Sequence, residues 1–219
     1  MRCRYGNVYF FEIFNFRYII TKMKKYIIGI DEVGRGSIAG PVTVVALAMP
    51  VGFKVRVKNM KLKDSKKLSA KNRERWFDYI KNNPEVFYSL AHVQPSIIDK
   101  INISQSANLA ATRALSRLIA IGKIKSSVKK IYLDGGLYII DQSLNNKHKP
   151  QTVIRGDEKI KAVSLASIVA KVTRDNLMSR LHKKYPKYGF NVHKGYGTKM
   201  HMDAVKRYGP SKKHRVTFL

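Results

Sequence analysis

The sequence predicts one α/β domain built on a mixed sheet. Three strand-like runs come first, spaced as if to form hairpins. Strand-like runs then alternate with helix-like stretches, and no internal repeat, low-complexity segment or linker divides the 219 residues. That length suits a single domain, and 44% hydrophobic residues suffice for a real core.

The elements follow in order. Tyr26–Asp31 (YIIGID) reads as a buried strand ending at a carboxylate, and Pro41–Met49 (PVTVVALAM) as a second strand rich in β-branched residues. Between them, Glu32–Gly40 is a glycine-rich turn. Residues 54–67 form a basic loop. Ser69 is placed to cap a helix running through Trp76, Phe77 and Ile80, which Asn82-Asn83-Pro84 closes. Val86–Val93 is a third strand. Ser104–Ile121 carries apolar residues at Leu109, Ala111, Leu115, Leu118 and Ile119, a helical spacing. Lys130–Asp134 (KIYLD) is a fourth strand, again ending on Asp, and Gln151–Ile154 is a short fifth. Ile160–His182 is a long helix whose Ala- and Ser-dense middle permits close packing on a sheet, and Thr198–Tyr208 is the last helix.

Charge indicates the partner. The chain has 43 Lys+Arg against 14 Asp+Glu, a net +29. A polyanion is the natural ligand, because each cation set on a phosphate releases condensed counterions. Cys3 is alone, which excludes a disulfide framework or a cysteine zinc site within one chain and fits a reducing cytoplasm. No run of about 20 apolar residues exists to span a bilayer. Residues 1–23 are aromatic and apolar but interrupted by Arg2, Arg4, Glu12 and Arg17, unlike a signal peptide. They are expected to be an extension or a misassigned start, with Met23 opening the domain proper (24–219). Removing residues 1–22 leaves a charge of +26.

The scarce acids are placed informatively. Asp31-Glu32 and Asp134 end strands, and Asp157-Glu158 follows the short fifth strand. Carboxylate oxygens are hard ligands suited to Mg²⁺ or Mn²⁺. Two such ions about 4 Å apart can activate water and stabilise the leaving oxygen of a phosphoryl displacement. Any one of these residues alone could merely cap a turn. Three such sites in a strongly basic chain favour metal binding.

The segment GIDEVGRGSIAGPV (Gly29–Val42) resembles the ribonuclease HII signature. Further blocks agree in order: DSKKLS (Asp64–Ser69), YLDGG (Tyr132–Gly136), RGDEK (Arg155–Lys159), ASIVAKVTRD (Ala166–Asp175), HKGYGTKMH (His193–His201) and HRVTF (His214–Phe218). The resemblance covers residues 24–219. It implies a ribonuclease H-like fold, with a mixed five-stranded central sheet flanked by helices and a helical C-terminal part. It implies four metal-binding catalytic carboxylates, which fall on Asp31, Glu32, Asp134 and Asp157, and leaves Asp175 to a salt bridge or the helix surface. It also implies that Gly34-Arg35-Gly36 touches a ribose 2′-hydroxyl and that Tyr196 stacks on the next deoxyribose. The implied substrates are RNA–DNA hybrids and duplex DNA containing ribonucleotides, cut by a cytoplasmic monomer with two Mg²⁺ or Mn²⁺ ions.

These roles make physical sense. One 2′-hydroxyl is what tells RNA from DNA. Glycines let the backbone approach a sugar, and an aromatic ring stacks without regard to sequence. Lys66, Lys67 and Lys171 are candidates for holding phosphates, against the alternative of an ordinary solvated basic loop for the first two. His193, His201 and His214 lack zinc-site spacing and are expected at the surface or near phosphate. Ser37-Ile38 replaces a common Pro-Leu of the family, and Leu165 and Thr217 stand where smaller or serine residues are usual. Three rival readings remain: the sister enzyme ribonuclease HIII, which usually carries an additional N-terminal domain, a non-catalytic nucleic-acid binder, and a membrane-surface protein.

Overall fold

The computed structural model describes residues 24–57, 60, 62, 65–121, 124 and 127–219, with the side chain of Lys66 outside that set. The readings of residues 1–23 and of Asp64 lie outside the described residues. The expected mixed sheet is present, with five strands: β1 (Tyr26–Val33), β2 (Val42–Pro50), β3 (Phe87–Val93), β4 (Val128–Asp134) and β5 (Gln151–Val153), ordered β3-β2-β1-β4-β5. β1, β2 and β3 pair antiparallel, whereas β4 joins β1 and β5 joins β4 in parallel.

Both faces of the sheet are covered, so the central strands are apolar nearly throughout and every residue of β2 is buried. Alternation assigns Val42, Val44, Ala46 and Ala48 to one face, against α2 (Pro95–Ile119) through Ala107, Ala111, Leu115 and Leu118. Val45, Leu47 and Met49 face the other way, onto α1 (Ala70–Lys81) and α5 (Lys161–Lys184). The Ala- and Ser-rich stretch of α5 allows a very close crossing. A Cβ placed on Gly29 of β1 would come within 2.1 Å of the Ala162 carbonyl carbon.

Several boundaries differ from the sequence reading. β1 runs two residues further, to Val33, so Asp31 and Glu32 lie within the strand, opposite Val45 and Val44. α1 is capped as expected, with the Ser69 side chain accepting from the Asn72 amide. α2 begins at Pro95 and breaks at Asn102 (φ 62°, ψ 170°), whose side chain accepts from the Gln105 amide and so starts a second leg. The helix expected from Ser104 is that second leg. The helix α3 (Gln142–His148), capped by Asp141, has no buried residue, so no apolar periodicity announces it. A short α4 (Gly156–Lys159) follows β5. Beyond α5, α6 (Phe190–His193) and α7 (Lys199–Tyr208) gather around Tyr188, Phe190, Met178 and Ala39. Among the described residues no helix is long and apolar enough to cross a membrane.

Candidate active site

The parallel register sets Ile30 beside Leu133, which brings the next residues of the two strands, Asp31 and Asp134, side by side. Oxygens of Asp31, Glu32 and Asp134 all lie within 4.8 Å of one another. Asp31 is buried and accepts from the Glu32 amide at 2.8 Å. The Ser167 hydroxyl of α5 also bonds to it, and Ser65 Oγ lies 2.8 Å from Ser167 Oγ, so the DSKKLS block braces this carboxylate. Asp134 Oδ1 accepts from the amides of Gly156 at 2.6 Å and Asp157 at 3.4 Å, in the first turn of α4.

Electrostatics make this cluster costly when bare. Burial, then repulsion from Glu32, lifts the Asp31 carboxyl well above the ordinary carboxylate range. Burial raises Glu32 to about 7, with the Asp134 charge adding to the rise and the Arg35 guanidinium opposing it. Glu32 Oε2 is buried and has no hydrogen-bond partner. Crowded hard oxygens, mutual repulsion and an unpartnered buried oxygen fit a divalent cation, which would relieve all three penalties. Asp157 is buried beside the cluster through its amide, but its carboxylate is not one of the three that share the 4.8 Å group. The structure therefore brings together three of the four expected ligands directly.

The turn and the tyrosine are neighbours. After Val33 the chain turns at Gly34 (φ +87°), then through Arg35, whose guanidinium reaches Glu32 at 3.4 Å and Ser104 Oγ at 3.2 Å. Gly36 is exposed, and a Cβ there would meet nothing within 4 Å. Ser37 forms a β-bridge with Tyr196, a residue 38% exposed and set next to Gly36. Two side chains that sequence reasoning passed over shape this corner: Arg174 and Arg215, both fully buried. Their positions within ASIVAKVTRD and HRVTF were the available signal, along with the Ser65 and Ser167 positions in DSKKLS and ASIVAK.

The lysines are less decisive. Lys67 is ion-paired with Glu158 at 3.2 Å, and Lys171 with Asp175 at 2.8 Å, the salt bridge foreseen for Asp175. The side chain of Lys66 lies outside the described residues. The histidine expectation is corrected: His193, His201 and His214 are 7%, 0% and 3% exposed, neither at the surface nor free for phosphate. They form a buried ring cluster with Phe190. His193 lies on α6, His201 on α7 and His214 on the loop after α7, and the three are buried because these short elements fold onto one another.

Comparison with known proteins gives a consistent result. A family model described as Ribonuclease HII matches residues 28–219. Ribonuclease HII of Orientia tsutsugamushi (strain Boryong) is 42% identical over 190 residues, which is 87% of this chain and 84% of that protein. Among solved structures, the ribonuclease H2 from Pyrococcus horikoshii OT3 superposes with a TM-score of 0.68 at 26% identity, covering 88% of this chain and 93% of that one. Bst-RNase HIII in complex with Mn²⁺ gives a TM-score of 0.68 at 17% identity over 90% of this chain and 68% of that one, a likeness of fold alone.

Proposed function

The chain belongs to the ribonuclease HII family, metal-dependent endonucleases that degrade the RNA of RNA–DNA hybrids, and on that basis we propose that it also cuts duplex DNA on the 5′ side of an embedded ribonucleotide. Hydrolysis there adds water to the phosphorus and breaks the bond to the preceding O3′, leaving a 3′-hydroxyl and a 5′-phosphate. The observation that carries this reading is the group of Asp31, Glu32 and Asp134 oxygens within 4.8 Å, beside an exposed glycine turn and a half-exposed tyrosine.

Asp31, Glu32 and Asp134, with Asp157 reached through α4, would hold two Mg²⁺ or Mn²⁺ ions. When bound, these supply Lewis-acid stabilisation of the attacking and leaving oxygens. The protein's own work is positioning. Ser167 and the Glu32 amide orient Asp31, and the amides at the start of α4 orient Asp134. Gly36 presents backbone without a Cβ, which lets the turn approach a 2′-hydroxyl. Tyr196 offers its face to the neighbouring sugar. The net charge of +29 draws in the duplex without reading its sequence. Lys66, Lys67 and Lys171 add phosphate contacts, Lys67 and Lys171 by exchanging acidic partners for phosphate. Residues 24–219, acting as a cytoplasmic monomer, constitute the working unit.

The test is cleavage of three duplexes: DNA with one ribonucleotide, a full RNA–DNA hybrid, and all-DNA, each with Mg²⁺, Mn²⁺ or EDTA. The reading expects metal-dependent scission of the first two, with 5′-phosphate ends. Inertness toward the single-ribonucleotide duplex under every metal condition would refute the finer claim.

A further inference from the structure

We propose that Arg174 and Arg215 are positioning residues for sugar discrimination, two buried guanidiniums that set the Gly34–Pro41 turn and Tyr196 at a fixed mutual distance. The proposal rests on the reading of Gly34-Arg35-Gly36 and Tyr196 as the sugar-sensing elements.

Both arginines are 0% exposed, and among the described residues neither has a carboxylate within ion-pair distance. A buried cation without an acid is costly unless its donors are satisfied. Here every partner is a backbone carbonyl. Arg215 donates from Nη2 to Gly34 O at 2.6 Å, from Nη1 to Arg35 O at 2.8 Å and from Nε to Gly40 O at 3.0 Å. Arg174 donates from Nη2 to Ala39 O at 3.1 Å, from Nε to Pro41 O at 3.3 Å and from Nη1 to Lys194 O at 2.7 Å. The two guanidiniums thus grip the turn at both ends, and Arg174 continues to the carbonyl two residues before Tyr196.

Arg174 also touches both sugar-sensing elements. Its side chain lies so close beneath Gly34 that a Cβ there would stand 2.2 Å from Nε. Its guanidinium carbon is 5.7 Å from the centroid of the Tyr196 ring. An apolar side chain of similar volume would fill this space without desolvating a charge. A planar fork instead specifies where carbonyls point, which a lysine ammonium does not reproduce. Reading a single hydroxyl needs that specification, since a misplacement of about 1 Å costs on the order of 100-fold in rate.

Lysine variants keep the charge and remove the fork. Arg174→Lys and Arg215→Lys are assayed on the single-ribonucleotide duplex, the hybrid and all-DNA, with thermal melts confirming the fold. Binding is measured separately in EDTA. The expected result is hybrid affinity within about twofold of wild type and kcat on the single-ribonucleotide duplex down by roughly 100-fold with KM nearly unchanged. A rise in KM with kcat intact, or a kcat within about threefold of wild type in folded variants, overturns the proposal. Should neither variant fold, wild-type protein decides through the ¹⁵N resonances of its two buried Arg Nε–H groups. They are expected to shift with the single-ribonucleotide duplex and not with all-DNA, and equal shifts overturn the idea. Wild-type protein that ignores the single ribonucleotide sinks the parent reading instead, in the same assay before any variant is made.

Discussion

His201 Nε2 and His214 Nε2 lie 3.0 Å apart with one proton between them. The Ser211 amide donates to His214 Nδ1, so His214 carries its proton on Nε2 and gives it to His201 Nε2. His201 must then be protonated on Nδ1, which donates to Tyr196 O at 2.9 Å. The hydrogen bonds run in one direction, from Ser211 to the tyrosine carbonyl, and require both rings neutral.

Acid should therefore loosen this part of the fold. Burial lowers His201 to about 4, and lowers His193 and His214 as well. The folded value lies below the unfolded one of about 6.5, so the unfolded chain takes up the proton first. The stability that His201 contributes is full above about pH 6.5, falls as pH drops toward 4 and levels off below that. His201 alone is expected to remove about 2 kcal/mol between pH 7 and pH 5. Melting curves of wild type and His201→Asn, which keeps a donor for Tyr196 O, test this. Equal pH slopes in the two proteins would count against the neutral pair.

Asp31→Asn and Asp134→Asn are expected to lower cleavage by more than about 100-fold while leaving hybrid binding intact or tighter. In EDTA, Asp31→Asn should melt higher than wild type, because a buried charge repelled by Glu32 has been removed. Mg²⁺ should raise the melting temperature of wild type and not of the variant. A variant that still turned over, or still gained stability from metal, would dismiss Asp31 as a ligand.

Asp157→Asn should weaken metal binding less than Asp31→Asn, since its carboxylate stands outside the 4.8 Å group. Mn²⁺ titration by calorimetry measures the difference. Affinities lost equally would place Asp157 on a par with the other three.

Gly29→Ala should destabilise by about 3 kcal/mol or more, because its methyl would meet the α5 backbone at 2.1–2.4 Å, where a main chain cannot rotate away. Chemical denaturation reads the loss. A change under about 1 kcal/mol would mean that α5 stands off the sheet.

Lys67→Ala tests the opposite extreme. Its pair with Glu158 is largely solvent-exposed, so stability should move by less than about 0.5 kcal/mol. If Lys67 holds a phosphate, the slope of log affinity for hybrid against log salt should fall by about one. An unchanged slope assigns Lys67 to the solvated surface.

The parts of the molecule legible in the sequence share one physical trait. β1 and β2 are buried on both faces and show as continuous apolar runs, and α5 shows as a dense block of small residues. α3 buries nothing and the first leg of α2 is a short piece ended by Asn102, so neither leaves a period to detect. The site divides in the same way. Acids are scarce in this chain, which made Asp31, Glu32 and Asp134 conspicuous. Arg174 and Arg215 were hidden among 43 cations, where nothing marks a buried arginine from a solvated one. The histidines were misplaced because the short elements that bury them, α6, α7 and the loop after α7, meet only in three dimensions.

The bond from Arg215 to Gly34 joins residues 181 positions apart. Asp134 likewise reaches Asp31 across about a hundred residues. Contacts of such long range close large loops, which slows folding. During translation the first carboxylates emerge about a hundred residues before their partner, and the arginine that sets the turn follows later still. The acidic cluster therefore has no local precursor: until β4 docks beside β1, Asp31 and Glu32 have no Asp134 with which to share an ion.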